Sequence, residues 1–301
     1  MTLLLNKKDV SDLLSIDDCI EAVERAFRLL GEGKVAAPAI AGVHTVGGGF
    51  HIKAGIIGDR FAAKVNANIA NTVPRVKGVI LLSDAHDGRP LAVMDSIEIT
   101  TLRTGAATAV AAKYLARTDA RTVLIAGCGN QGLIQLRALQ RVRRIERVFA
   151  MDVDPAKAAA FAHVTGAEVV AAPLDADIVV TCTPSTQPIL HHAAPGTFVA
   201  AVGADSEDKN ELAPALMASS KVVTDLTAQC EHLGDLHHAL ASGARAYAEL
   251  AEIVAGTKPG REHDAETIIF DSTGMALQDV AAAAIVYERA VAAGRGLSFT
   301  F

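Results

Sequence analysis

Two hydrophobic rhythms alternate along the chain. Between Ser15 and Gly31, apolar residues fall at Ile16, Ile20, Val23, Phe27 and Leu30, the spacing of one helix face, with Ser15 and Asp18 placed to cap its start. Gly31 and Gly33 stop it. From about Ala39 to Val93 the rhythm shortens to β-rich runs broken by turn residues at Gly47-Gly48-Gly49, Gly58-Asp59-Arg60, Asn71, Pro74 and Asp87-Gly88-Arg89-Pro90. This predicts antiparallel strands, with Asp87-Gly88 turning a hairpin. Asp95 caps an alanine-rich helix to about Ala116. Beyond it, short strands and helices alternate, with strands expected at 122–126, 147–151, 167–171, 178–182, 197–202, 221–225 and 267–270. That alternation predicts a doubly wound parallel sheet. A last helix, from about Met275 to Ala293 and stopped by Gly294, is expected to pack back on the first part of the chain.

Composition narrows the class. Half of the 301 residues are hydrophobic and 21% are charged, as in an ordinary globular protein. With 28 basic and 34 acidic residues the formal net charge is −6, and no basic or aromatic run accumulates. This argues against a nucleic-acid or membrane partner. The four cysteines (Cys19, Cys128, Cys182, Cys230) form no C-x-x-C pair, and the apolar start Met1–Leu5 is too short for a secretory signal. The expectation is a soluble, cytoplasmic protein without disulfides. The ten histidines show no metal-ligand spacing, so no metal is expected.

Chemistry is densest after Thr122-Val123-Leu124-Ile125-Ala126. This strand runs into Gly127-Cys128-Gly129-Asn130-Gln131-Gly132 and then a helix, and Asp152 ends the next strand about 20 residues on. The glycines allow a tight turn and close approach of backbone N–H groups to a pyrophosphate, which the helix N-terminus favours electrostatically. Asp152 would accept the ribose hydroxyls of NAD and repel the 2′-phosphate of NADP. Residues 119–274 therefore read as a Rossmann-type NAD-binding domain. Residues 1–118 with 275–301 read as a discontinuous α+β domain.

Other candidates are weaker singly. Ligands of open α/β sheets sit beyond the carboxyl ends of strands, which points to Thr183 in Thr181-Cys182-Thr183-Pro184-Ser185 and to Gly203-Ala204-Asp205. Taken alone, Asp205 reads as a loop acid, Lys64 as a solvent-facing strand lysine and Arg103 as a surface helix arginine.

As an ordered set, Ala63-Lys64-Val65-Asn66, Thr101-Leu102-Arg103-Thr104-Gly105-Ala106-Ala107, the glycine loop, Val202-Gly203-Ala204-Asp205 with Lys209 and Glu211-Leu212, and Asp271-Ser272-Thr273-Gly274 resemble the ornithine cyclodeaminase/mu-crystallin family over nearly the whole chain. The resemblance assigns substrate binding and dimerisation to residues 1–118 with 275–301, and implies a homodimer joined through the sheets of its first domains. It also implies hydride transfer between NAD and the Cα of a small amino acid or its imine. Arg103 would then hold the substrate carboxylate, Lys64 would contact the same end and assist proton transfer, and Asp205 would act as acid/base. Thr104 and Thr183 would join Gly127, Gly129, Asn130, Gln131, Gly132 and Asp152 at the cofactor.

The chain departs from the family between Pro38 and Gly55. Pro38-Ala39-Ile40 lacks the carboxylate-binding arginine that members often carry just after this proline, and His51 and Lys53 stand where a cyclodeaminase would place an acidic residue and a methionine. His51 and Lys53 are thus candidate substrate-binding residues, and a substrate with a distal ammonium is disfavoured. The leading expectation is an imine reductase or amino-acid dehydrogenase. Ornithine cyclodeaminase is the alternative, and a non-catalytic mu-crystallin-like binding protein the second alternative.

Overall fold

The computed structural model describes residues 1–300. In chain order the elements begin with β1 (Thr2–Leu5), α1 (Lys7–Leu13), α2 (Ile16–Gly31), β2 (Ala39–Thr45), β3 (Gly48–Ile57), β4 (Arg60–Ile69), β5 (Val76–Asp84), β6 (Pro90–Asp95) and α3 (Ile97–Leu115). Next come β7 (Thr122–Ala126), α4 (Asn130–Val142), β8 (Arg147–Met151), α5 (Pro155–Thr165), β9 (Glu168–Val169), β10 (Ile178–Thr181) and β11 (Phe198–Ala201). Then follow α6 (Pro214–Ala218), β12 (Lys221–Thr224), α7 (Thr227–Cys230), α8 (Gly234–Ala239), β13 (Ala246–Glu249), α9 (Leu250–Val254), β14 (Ile268–Asp271), α10 (Ala276–Ala293) and β15 (Leu297–Phe299). The chain divides into two compact units, Met1–Ala106 with Met275–Phe301, and Ala107–Gly274, the first division falling inside α3.

The first unit is built on a mixed seven-stranded sheet of order β15-β1-β6-β5-β4-β3-β2, antiparallel except for the β1–β6 pair. Its hairpin at Asp87-Gly88 joins β5 to β6 as expected, with Gly88 at φ +77°. Helix α2 starts with the capping box read from the sequence: the Ser15 hydroxyl accepts from Asp18 N–H and the Asp18 carboxylate accepts from Ser15 N–H. Helix α10 packs against α2, β3 and β4, so the end of the chain completes the core begun by its start. At Gly55 an added Cβ would lie 3.0 Å from the Leu277 side chain, which lets β3 approach this helix closely.

The second unit holds an eight-stranded, all-parallel sheet of order β13-β12-β14-β11-β10-β7-β8-β9. From β7 the chain steps outward to β8 and β9, then returns to the other side of β7 at β10. The crevice between the ends of β7 and β10 is therefore the topological switch point, where ligands of such sheets bind. The run expected at 167–171 is only the two-residue β9, with both residues exposed. The sequence reading did not mark β1, β13 or β15. Among the described residues no helix is long and apolar enough to cross a membrane.

Candidate active site

Alternation along β4 turns Ala62, Lys64 and Asn66 to the inner face of the first sheet, and all three are buried. Register places Lys53 of β3 opposite Lys64, and His51 opposite Asn66, so both share that face. Lys53, Lys64 and Arg103 are 8%, 3% and 6% exposed, which overturns the solvent-facing reading that Lys64 and Arg103 invite singly. Their company explains it. Lys64 Nζ lies 2.8 and 2.7 Å from the two carboxylate oxygens of Asp279, and Arg103 Nε lies 3.4 Å from Oδ1. Arg103 Nη1 also donates to Gln278 Oε1 at 2.9 Å.

Gln278 and Asp279 were missed in the sequence. Their signal is two adjacent polar residues inside the apolar run Met275-Ala276-Leu277 to Val280-Ala281-Ala282. Burial and the positive charges of Arg103 and Lys53 bring the Lys64 ammonium down to about 7, against the pull of Asp279. Burial pushes the Asp279 carboxyl up, but Lys64 and Arg103 outweigh it and hold it below its ordinary value. Asp279 thus pairs with Lys64 and Arg103, and the charge of Lys53 also acts on it. Thr104, also buried, donates its hydroxyl to Thr100 O of its own helix at 2.8 Å.

In the second unit, the glycine loop bridges β7 and α4. Gly127 takes φ +108°, and a Cβ there would meet Cys182 O at 2.7 Å, so only glycine lets the loops after β7 and β10 approach. A Cβ on Gly132 would run into Gly127 O, whereas one on Gly129 would meet nothing. The 13-residue helix α4 has Gly129 as its N-cap and no side-chain cap, and Gly129 and Asn130 are exposed. Gln131 is half-buried. The Asp152 carboxylate accepts the Cys128 N–H at 2.8 Å, which brings the acid to the edge of the loop. An uncapped helix end, an open glycine cradle and a carboxylate at the next strand's tip fit a dinucleotide.

Asp205 is exposed and pairs with Lys209, four residues further along the same loop. Thr183 is half-buried, and both its N–H and its hydroxyl donate to Glu211 Oε1, at 2.6 and 2.7 Å. The structure therefore gathers His51, Lys53, Lys64 and Arg103 in the first unit, and the glycine loop, Asp152, Thr183 and Asp205 in the second.

The profile of the ornithine cyclodeaminase/mu-crystallin family matches residues 1–294. The chain belongs to this family. An archaeal alanine dehydrogenase dimer with bound NAD is 36% identical and superposes with a TM-score of 0.95, the match covering 100% of this chain and 99% of that one. The Thermococcus litoralis Δ1-pyrroline-2-carboxylate reductase, solved with NADH and L-proline, is 34% identical at a TM-score of 0.93, over 99% and 100% of the two chains. The Paracoccus denitrificans iminosuccinate reductase, solved with NAD+, is 32% identical at a TM-score of 0.89, over 99% of each. Within this family frame the departure after Pro38 has a structural sequel. Ile40 on β2 lies opposite Lys53, which lies opposite Lys64, so a buried cation stands one strand inward from the segment that lacks arginine.

Proposed function

We propose that the chain is an amino-acid dehydrogenase or imine reductase that works on a small α-imino acid and its amine, with the α-carboxylate held by Arg103, Lys64 and Lys53. As a member of the ornithine cyclodeaminase/mu-crystallin family it is an NAD-dependent oxidoreductase. The observation that carries the substrate reading is the buried cluster of Lys64 and Arg103 on Asp279, with Lys53 buried opposite Lys64. Gly127, Gly129, Asn130, Gln131 and Gly132 would hold the pyrophosphate, Asp152 the adenosine ribose, and Thr183 and Thr104 the remaining cofactor contacts. Bound NADH supplies the hydride that reduces the imine carbon. Arg103 and Lys64 orient the substrate through its carboxylate. Asp205 supplies the proton that the imine nitrogen takes up, and Lys64, poised near neutrality, relays protons at the carboxylate end.

The same cluster disfavours ornithine, because a second ammonium would enter a site already carrying the buried charges of Lys53, Lys64 and Arg103. We also propose a homodimer formed through the outer face of the first sheet. Phe50, Ile56 and the cross-strand pair Val65 and Val79 stand exposed there, and an archaeal relative is a dimer. Val65→Lys should turn a dimer into a monomer by light scattering, and an unchanged mass would move the interface elsewhere. We place the protein in the cytoplasm, where its four cysteines remain the free thiols seen here.

Loss of NADH absorbance tests the activity, with pyrroline-2-carboxylate, iminosuccinate, and pyruvate plus ammonia as substrates. Consumption of NADH in step with amine formation is expected. Proline made from ornithine with catalytic NAD and no net change in NADH would instead establish a cyclodeaminase. Tight binding without turnover of any substrate would establish a binding protein.

A further inference from the structure

Glu211 lies in Asn210-Glu211-Leu212, after β11, and is fully buried. Among the described residues no basic side chain pairs with it. Its Oε1 accepts the Thr183 N–H and hydroxyl at 2.6 and 2.7 Å, while Oε2 accepts the Thr181 hydroxyl and the Gly203 N–H, each at 2.9 Å. Four donors fill the acceptor capacity of one carboxylate. A glutamine would turn an NH2 group toward at least one of these donors.

A chain of acids holds Glu211 itself in place. Asp235 Oδ1 accepts the Glu211 and Leu212 N–H groups at 2.6 and 2.8 Å, and Asp271 at the end of β14 accepts the Asp235 and Leu236 N–H groups at 3.3 and 2.9 Å. All three acids are completely buried, an arrangement that costs stability and that neutral side chains would avoid. Such a cost is expected where geometry matters more than stability.

The loops drawn together here follow β10 and β11. Gly203 closes the contact: a Cβ there would lie 2.6 Å from the Glu211 carboxyl carbon and would strike Thr183 O. Thr183 accepts in turn from Ser185 N–H at 3.2 Å, so its hydroxyl proton is committed inward to Glu211 and its lone pairs face the loop.

We propose that Glu211 is a positioning residue of the site: its carboxylate sets the spacing of the loops after β10 and β11, fixes Thr183 as an acceptor, and anchors the backbone from which Asp205 projects. The assignment of Thr183 to the cofactor and of Asp205 to proton transfer rests on the proposed function, whereas the spacing role does not.

The test is Glu211→Gln in the full-length protein, with NADH affinity measured by fluorescence titration without substrate. NADH affinity and kcat should each fall roughly tenfold, the weight of one charge-assisted hydrogen bond, while KM for the carboxylate substrate stays within about twofold. A merely structural glutamate would lower the folded fraction and leave kcat and NADH affinity per folded molecule unchanged. In a double-mutant cycle, Glu211→Gln with Thr183→Val should match the more impaired single variant, and additive losses would overturn the proposal. If Glu211→Gln does not fold, Thr183→Val alone decides through NADH affinity: a fall supports the positioning role and the wild-type value removes it. If the wild type turns over none of the substrates but Glu211→Gln still weakens NADH, the positioning role stands and the substrate reading falls. Wild-type NADH affinity in a folded Glu211→Gln protein sinks the positioning role whatever the substrate.

Discussion

Asp279 stands between two cations that would otherwise be buried without compensation, Lys64 and Arg103. Replacing it by asparagine keeps the shape and removes the charge. Breaking a buried pair in this way costs about 3–5 kcal/mol, so Asp279→Asn should lower the urea midpoint, and a carboxylate ligand should restore more stability to it than to the wild type. An unchanged midpoint would mean that Asp279 is not what compensates Lys64 and Arg103 in the folded protein. Asp152 has a duty visible only in the structure beside the ribose role proposed for it, because its carboxylate accepts the Cys128 N–H. Asp152→Ser should therefore relax the preference for NADH over NADPH and also weaken NADH itself; an unchanged ratio would assign the ribose to another residue. Lys64, Arg103 and Asp205 could be named as candidates because they stand in motifs of fixed order. Asp279 could not, and Glu211 stood in such a motif without a role, because what marks both is burial among donors or cations, which a single sequence does not display.

At the scale of elements, local chemistry carried most of the reading. The capping box at Ser15, the turn at Asp87-Gly88, the stop at Gly294 and the strand–loop–helix at Thr122 all act within a few residues, and each appears where the sequence places it. Elements defined by partners far away were missed. β1 pairs with β6 and with β15 at the other end of the chain, and β13 is a four-residue edge strand beside β12. Register, which composition does not state, puts Lys53 opposite Lys64 across β3 and β4. Buried like charges across a strand pair repel. Lys53→Met should thus leave stability unchanged or raised while increasing KM for the carboxylate substrate about tenfold or more, as loss of one charged contact would. A wild-type KM would show that Lys53 takes no part in binding.

Over the whole molecule, the two units answer pH in opposite senses. Burial, with Arg103 and Lys53, takes Lys64 from its ordinary 10.5 to about 7, so the folded first unit binds fewer protons in that window. Its cost is complete below about pH 7 and fades as pH rises toward 10.5. Burial and Glu211 raise Asp235 from 3.8 to about 7, so the second unit gains protons on folding and loses stability as pH climbs from 3.8 to 7. Hydrogen exchange corrected for intrinsic rates should show the second unit better protected near pH 5 than near pH 8. Asp235→Asn should flatten that response, and a slope that survives it would assign the proton to another acid.

The discontinuity of the first unit bears on how the protein is made. The ribosome releases Lys64 and Arg103 long before Asp279, because residues 107–274 intervene and form a contiguous unit of their own. Domains fold as units, so the inserted unit, contiguous in sequence, can close its sheet without α10, whereas the earlier sheet cannot gain its counter-ion until α10 is in place. A chain ending at Gly274 and followed by a linker long enough to fill the ribosomal exit tunnel should resist protease across the second unit and be cut freely within the first hundred or so residues. What the ribosome begins first, it finishes last.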